Sequence, residues 1–321
     1  MKGYLIKRVA MFFPTMILLT MIVFAILRVI PGDPALLILG GEEGDEVFTD
    51  AELDALRARL GTDRNIAVQY ADWVSSMFTL DFGNSYHYNN PVSEDLAQRI
   101  PITLQLTFMS LFISGIVAVP LGVFSAIRQD TWGDYVSRAI TVVGLATPNF
   151  FVGIMTIFLL ILFFGWIPPI GYVNVWEEPW ANFQQLIFPA MALGTSGMAF
   201  LARVTRSAML EVLNEDYIRT ARSKGLAEKI VIYRHALKNA VLPVVTIFGL
   251  ALADATSGSV VTEIVFSVPG MGRLLIEGVQ HRDYPMIQAI IVVFGLIVLA
   301  ANLLTDLTYA WLNPRIRYGS L

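Results

Sequence analysis

The chain has no cysteine, only three histidines, and few charged residues, which make up 15% of 321. Without cysteine there is no disulfide framework, thiolate zinc site, iron–sulfur ligation or cysteine nucleophile. His87, His235 and His281 are dispersed and make no H-E-x-x-H spacing, which argues against a membrane metalloprotease. The dipeptide Gly-Lys occurs nowhere, so a phosphate-cradling P-loop is not encoded. A soluble domain carries about a quarter charged residues. This chain is 55% apolar with a mean hydropathy of +0.62, the composition of a protein solvated by lipid. A net charge of -4, with no basic stripe carrying interleaved aromatics, excludes nucleic acid as a partner.

What is present is a series of long uncharged runs, at 9–27, 102–127, a run opening at Ala139, 181–202, 239–262 interrupted by Asp254, and 284–305. About twenty helical residues cross a hydrocarbon core of roughly 30 Å, so these are six candidate transmembrane helices. They are continuously apolar and do not alternate at period two, which favours helices over a barrel. Pro168 and Pro169, with Gly165 and Gly171, should end the third helix near Phe164. Pro120, and Pro148 with Asn149, predict kinks in the second and third spans. The first run is long, contains Pro14 and lacks a small-x-small cleavage pattern after it, so it reads as a retained helix and not a secretory signal.

Basic residues orient the chain. With the N terminus in the cytoplasm, 15 of the 22 Lys and Arg residues, including every lysine, fall on inside segments, so the positive-inside rule selects an N-in, C-in topology. The outside segment from Pro31 to Arg99 holds thirteen acids against four bases, a net of −9. Within it, Thr49 or Asp50 can cap a helix whose Leu53, Leu56 and Leu60 share one face and which Gly61 stops. The expected domains are therefore an N-terminal helix (1–30), a small extracytoplasmic domain (31–98), five further helices (99–312) and a cytoplasmic tail (313–321). The acidity of the outside domain reads as a solvated face or as an attractor of cationic solutes.

The inside connection 203–238 is polar and periodic, with eight basic and four acidic residues. Residues 215–226 read as a short helix with acids at its start, bases near its end and Gly225 as a left-handed stop. A second helix should begin at Glu228 and lead through His235 and Asn239 to Leu242-Pro243. An ordinary surface hairpin obeying the positive-inside rule would carry the same pattern.

The run Asp216-Tyr217-Ile218-Arg219-Thr220-Ala221-Arg222-Ser223-Lys224-Gly225, followed by His235-Ala236-Leu237-Lys238-Asn239-Ala240-Val241-Leu242-Pro243, resembles the coupling loop of ABC importer permeases of the dipeptide/oligopeptide family. Further segments match the family pattern in order: Pro31-Gly32-Asp33-Pro34, Asp81-Phe82-Gly83-Asn84-Ser85, Val268-Pro269-Gly270-Met271-Gly272-Arg273-Leu274, Arg282-Asp283-Tyr284-Pro285 and Asn313-Pro314-Arg315. The resemblance implies a type I ABC importer transmembrane domain, the first of two permease subunits, whose loop docks into a cytoplasmic ATPase. Asp216, Tyr217, Arg219, Thr220, Ala221, Arg222, Lys224 and Gly225 would make that coupling surface. Ala221 and Gly225 match the Ala and Gly of the family's Glu-Ala-Ala…Gly signature, whereas Arg219-Thr220 stands where Glu-Ala would be, a departure common in the peptide-type branch.

The same resemblance implies the partners: a homologous second permease in a heterodimer, two ATP-binding subunits holding ATP and Mg, an extracytoplasmic substrate-binding protein, and the lipid of a bacterial or archaeal cytoplasmic membrane. This subunit would carry no cofactor or metal and no catalytic residue. Its cargo would be a dipeptide or oligopeptide, with glutathione, nickel chelates or another small solute as the alternative. Along the fifth span, Asp254, Ser257 and Gly258 are candidate pathway residues. The small side chains Gly249, Ala253 and Ser257 recur every four residues there and equally suit close helix packing. Asp306 and Asn302, one turn apart in the sixth span, suit packing or a contact with a nearby Arg. Pro269, Gly270, Gly272 and Arg273, in the outside stretch 266–285, are candidate outer-gate residues where the binding protein docks. An ion-driven carrier is disfavoured because no internal repeat is visible, and an intramembrane hydrolase because no span holds His or Cys.

Overall fold

The computed structural model of the chain describes residues 2–29, 34–39, 48–169 and 171–312. The Pro31-Gly32-Asp33 and Asn313-Pro314-Arg315 motifs and the tail 313–321 lie outside the described residues. Among those residues the secondary structure is helical, with an isolated antiparallel bridge, Asn84 to Pro91, as the only extended pairing. Five helical runs are long and apolar enough to cross a membrane, and a sixth if one sharply bent pair counts as a single span.

In chain order the helices are α1 (Lys2–Val29), α2 (Pro34–Leu39), α3 (Asp50–Leu60), α4 (Ile66–Phe78), α5 (Val92–Ile127), α6 (Trp132–Ala146), α7 (Asn149–Phe164), α8 (Pro179–Leu213), α9 (Asp216–Ser223), α10 (Glu228–Ile230), α11 (Leu237–Val265), α12 (Met271–Gln280) and α13 (Tyr284–Leu312). A π-helical segment, Val231–Ala236, joins α10 to α11, so helical backbone runs on from Glu228 through Pro243 to Val265. Several helices outrun the membrane. The 35 residues of α8 span about 52 Å at about 1.5 Å each, against a core of about 30 Å.

Local signals set many helix ends. Thr49 caps α3 through its side chain, Glu52 returns a bond to the Thr49 N–H, and Gly61 closes the helix in the left-handed conformation. Leu53 is the buried residue of its apolar face. Gly165 likewise ends α7 after Phe164. The third apolar run departs from the expectation of a kinked span. It is two helices, beginning at Trp132 and meeting at 106° across Thr147 and Pro148. Pro148 lacks an N–H and restricts Thr147 to extended backbone, here φ −91° and ψ 122°, so helical hydrogen bonding cannot continue through the pair. In α5, by contrast, helical backbone continues through Pro120.

The chain divides into two compact units. The first comprises Met1–Val9, Thr103–Pro269 and Ile297–Leu321. In it α8 packs against α6, α7 and α11. Lipid gives apolar helices no hydrophobic reason to associate, so close approach by small residues does that work. A Cβ on Gly194 would strike Ser114 and the Ser110 carbonyl of α5, and one on Gly249 would overlap the Thr305 side chain of α13. The small-residue stripe of the fifth span therefore includes a packing position. At another point of this unit Arg8 pairs with Asp306 at 2.9 Å, the Arg contact expected for that carboxylate.

The second unit comprises Ala10–Ile102 and Gly270–Leu296. Thr20 of α1 shares a 2.9 Å hydrogen bond with Tyr70 of α4, and Phe24 packs against the Tyr70 and Trp73 rings. The stretch 266–285, which reads as a loop, contains the ten-residue helix α12. Its Gly272 and Gly278 are buried, and Gly278 faces Met286 and Ile287.

Candidate functional site

The connection 203–238 contains a short helix backed by a core. Glu215 precedes α9, and Ile218 and Ala221, three apart and therefore on one face, are buried. They pack with Ala208 and Met209 of α8, Val123 and Ala126 of α5, and Val231, Ile232, Ala236 and Ala240 beyond the turn. Ala221 thus lies in the chain's own core, and the close approach its small side chain permits is to these helices. The outward surface is carried by Asp216, Tyr217, Arg219, Thr220, Arg222 and Lys224, all exposed.

Gly225 adopts φ +75°, and its N–H bonds to the Arg222 carbonyl at 2.9 Å. No atom lies within 4 Å of where a Cβ would stand, so backbone conformation and not space selects glycine here. Arg222 forms a two-pronged contact with Glu228, at 2.8 and 3.2 Å, that closes the turn. These hydrogen bonds to Glu228, with its negative charge adding to them, hold the Arg222 guanidinium's pKa above its ordinary value. Arg219 pairs with Asp216 at 3.3 Å and donates to the Asn214 carbonyl. Asn239 of α11 donates to the Tyr217 hydroxyl at 2.8 Å. Two of the cations expected to meet a partner are thus also engaged inside the loop.

Behind this surface lies an ion pair that sequence reasoning missed. Asp134 of α6 is fully buried. Arg206 of α8 grips both its oxygens, Nε to Oδ1 at 2.8 Å and Nη2 to Oδ2 at 2.7 Å. Ser125 of α5 and the Asp130 N–H complete its shell. The arrangement satisfies the condition for a tolerable buried charge, a planar fork plus further donors on the remaining lone pairs. It ties three helices together directly beside the loop core. The residues are 72 apart, so no local pattern announces the pair.

Asp254 lines a cavity of about 460 Å³ within the first unit, among α5, α6, α7, α8 and α11. A carboxylate at the centre of a span costs roughly 3 kcal/mol on insertion scales, and the cavity gives it somewhere to project. Ser257 bonds back to the Ala253 carbonyl, and Gly258 faces Leu193. Neither lines that cavity, so of the three pathway candidates only Asp254 does. Asn149, the first residue of α7 at the 106° break, lines it too. Its Nδ2 donates to the Leu193 carbonyl at 3.4 Å, while its Oδ1 is buried without a hydrogen-bond partner among the described residues.

In the first unit also, Glu263 of α11 is fully buried and accepts a 2.8 Å hydrogen bond from Thr103 of α5. In the second unit Gly270 precedes α12, and Gly270 and Gly272 are buried. Arg273 is the gate candidate with a half-exposed charged end, and it pairs with Glu277 at 2.9 Å. Pro269 closes the segment before it.

Long apolar helices, a loop helix backed by a core and a cavity with one carboxylate beside a broken helix are the features of a multi-pass membrane protein. Comparison with known proteins agrees. Residues 118–318 match the family described as binding-protein-dependent transport system inner membrane component, and residues 1–107 match its N-terminal counterpart. The chain belongs to this family and is a multi-pass protein of the cytoplasmic (inner) membrane.

It is 37% identical to the dipeptide transport system permease protein of Alkalihalophilus pseudofirmus, with 99% of this chain and 100% of that one covered. It is 38% identical, with the same coverage, to the glutathione transport system permease protein of Salmonella typhimurium. A putative peptide transport system permease protein of Brucella abortus is 36% identical, again over 99% of this chain and 100% of the relative. Among solved structures, the crystal structure of an amino acid ABC transporter with histidines superposes with a TM-score of 0.52 over 68% of this chain and 94% of that one. At 16% identity that likeness speaks for the fold alone.

Proposed function

We infer that this chain is one half of the translocation pore of an ATP-driven importer for dipeptides or oligopeptides. The observation that carries the reading is full-length similarity to dipeptide and peptide permeases, joined to a loop whose helix is backed by a core and presents a polar face. In this reading the chain has N-in, C-in topology, residues 31–98 form a small extracytoplasmic domain, and the loop 203–238 docks on an ATPase. A binding protein delivers cargo near Pro269 and Arg273. ATP binding and hydrolysis, on two partner subunits, switch the spans between outward-open and inward-open states, and a homologous second permease completes the pore.

The loop's chemistry suits this work. An α9 seated on Met209 of α8 and on Val231, in the helical run that continues into α11, can pass a push on its exposed face to those helices. The exposed Arg219, Arg222 and Lys224 can form charge-assisted bonds with carboxylates of a docking cleft. The second reading, glutathione as cargo, is favoured by the Salmonella relative.

The test is ATPase activity of the assembly in lipid with its binding protein, using a panel of di- and tripeptides, glutathione and metal chelates. Stimulation by peptides supports the reading. Stimulation by glutathione alone selects the second, and the absence of stimulation by any of them contradicts both.

A further inference from the structure

The cavity beside Asp254 is chemically one-sided. No Lys, Arg or His lines it. The Asp254 carboxylate has neither an ion pair nor a hydrogen bond among the described residues. Of the three serines in the wall, Ser110 donates to the Thr107 carbonyl at 2.8 Å and Ser114 to the Ser110 and Gly194 carbonyls at 2.7 and 2.9 Å, which leaves the Ser196 hydroxyl as a neutral group that can donate or accept. Asn149 has spent an amide donor on Leu193 and keeps an unpartnered carbonyl oxygen. The base nearest in sequence to the wall, Arg203, stacks over the Phe200 ring with its guanidinium 5.4 Å from the centroid and is not part of the lining. Leu111, Leu193, Ile247 and Leu250 make most of the remaining wall apolar.

Such a wall holds one fixed negative charge and no fixed positive one, and the carboxylate is exposed, open to a cation entering the cavity. Its complement is a compact cation rich in N–H donors. The site also adjoins the junction of two half-helices, the kind of broken segment that builds substrate sites at membrane depth. The Asn149 oxygen, buried at that junction, gains a partner if a change in the α6–α7 break brings it to the cargo.

We propose that this cavity receives the α-ammonium end of the cargo, with Asp254 as its counter-ion and Asn149 as a second acceptor. The proposal rests on the peptide-importer reading for the identity of the ammonium's bearer, and on the cavity alone for its charge. It makes the permease itself, and not only a binding protein, discriminate a free amino terminus.

The chain's lack of cysteine allows a direct test. Asp254→Cys, in an assembly whose other subunits carry no reactive thiol, is reacted with methanethiosulfonates of similar size bearing either a sulfonate or a trimethylammonium group. Uptake of a labelled dipeptide into proteoliposomes is then compared. The sulfonate adduct is expected to exceed the ammonium adduct by about tenfold, the lower end of what a close charge pair contributes. Dipeptide should also slow labelling of the thiol. Both adducts derive from one folded protein, so a folding defect cannot mimic dependence on sign.

Uptake indifferent to the sign of the adduct, or unchanged in Asp254→Asn, overturns the proposal while leaving peptide transport standing. Sodium-dependent uptake abolished by Asp254→Asn also overturns it, by assigning the carboxylate to an inorganic cation. Conversely, an assembly that imports no peptide but imports another amine with the same dependence on sign removes the peptide reading and keeps the ammonium site.

Discussion

Ser85 donates its hydroxyl hydrogen to Oδ2 of Asp283, a residue 198 positions away, and the carboxylate is 1% exposed. Two short motifs that look independent in sequence, Asp81 to Ser85 and Arg282 to Pro285, therefore meet at one buried charge in the second unit. Asp283 also accepts from the His87 N–H at 3.3 Å, and through Oδ1 from the Met286 N–H at the start of α13. The same carboxylate caps a helix and clamps the loop ahead of α5. Tyr86 beside it is half-buried, and the loss of hydration, with Asp283 adding to it, pushes the phenol up to about 12.

Removing one donor from that carboxylate should be costly. Ser85→Ala is expected to destabilise the second unit by about 1.5–3 kcal/mol, the range for a hydrogen bond to a charged group. Asp283→Asn should cost less than Asp283→Ala, because the amide oxygen can still accept from Met286. Thermal unfolding in detergent, followed by protease sensitivity of residues 48–91, measures both. Equal stability of Ser85→Ala and the parent would contradict the assignment.

The Arg206–Asp134 fork predicts strong non-additivity. Arg206→Met leaves the buried Asp134 charge without its partner and should cost about 3–5 kcal/mol, whereas Asp134→Asn, which leaves the half-buried Arg206, should cost less. The double substitution should recover a substantial part of that loss. A double-mutant cycle on thermal stability checks it, and additive losses would show that the two side chains do not act as a pair.

Gly225 and Gly249 are required for different reasons, and substitution should separate them. Gly225→Ala places a β-carbon in open space but on a left-handed backbone, a cost of about 1–2 kcal/mol confined to the loop. Gly249→Ala drives a methyl into Thr305 and should impair folding more severely. Adding Thr305→Ala to Gly249→Ala should restore part of the yield of folded protein, whereas it should do nothing for Gly225→Ala. Size-exclusion profiles after extraction report the outcome.

Those contrasts show what a sequence can convey. The α3 caps at Thr49 and Gly61, the α7 stop at Gly165 and the left-handed turn at Gly225 were legible because each depends on residues within a few positions. The runs of apolar residues were legible because lipid imposes a length and forbids charge. The 106° break was only half legible: Pro148 announces an interruption, but packing on α8 and α11 accompanies its angle. Helix α12 was hidden by glycines that serve close packing and read locally as a loop. The orientation of α9 was hidden for the opposite reason, since Ala221 fits a docking face as well as a core, and only the neighbouring Val231 and Met209 decide. Burial of Glu263 and the pairing of Asp134 with Arg206 depend on contacts 160 and 72 residues apart.

The central claim is that the exposed face of α9 couples this permease to an ATPase. Single cysteines at Tyr217, Lys224 and, as a control on the connection between α7 and α8, Asn174 can be introduced into the cysteine-free chain and crosslinked in membranes containing the full assembly. The account predicts adducts with the ATPase subunit from Tyr217→Cys and Lys224→Cys that change in yield on adding ATP, and none from Asn174→Cys. Adducts from Asn174→Cys, or none from either loop position while the subunits still co-purify, would contradict it.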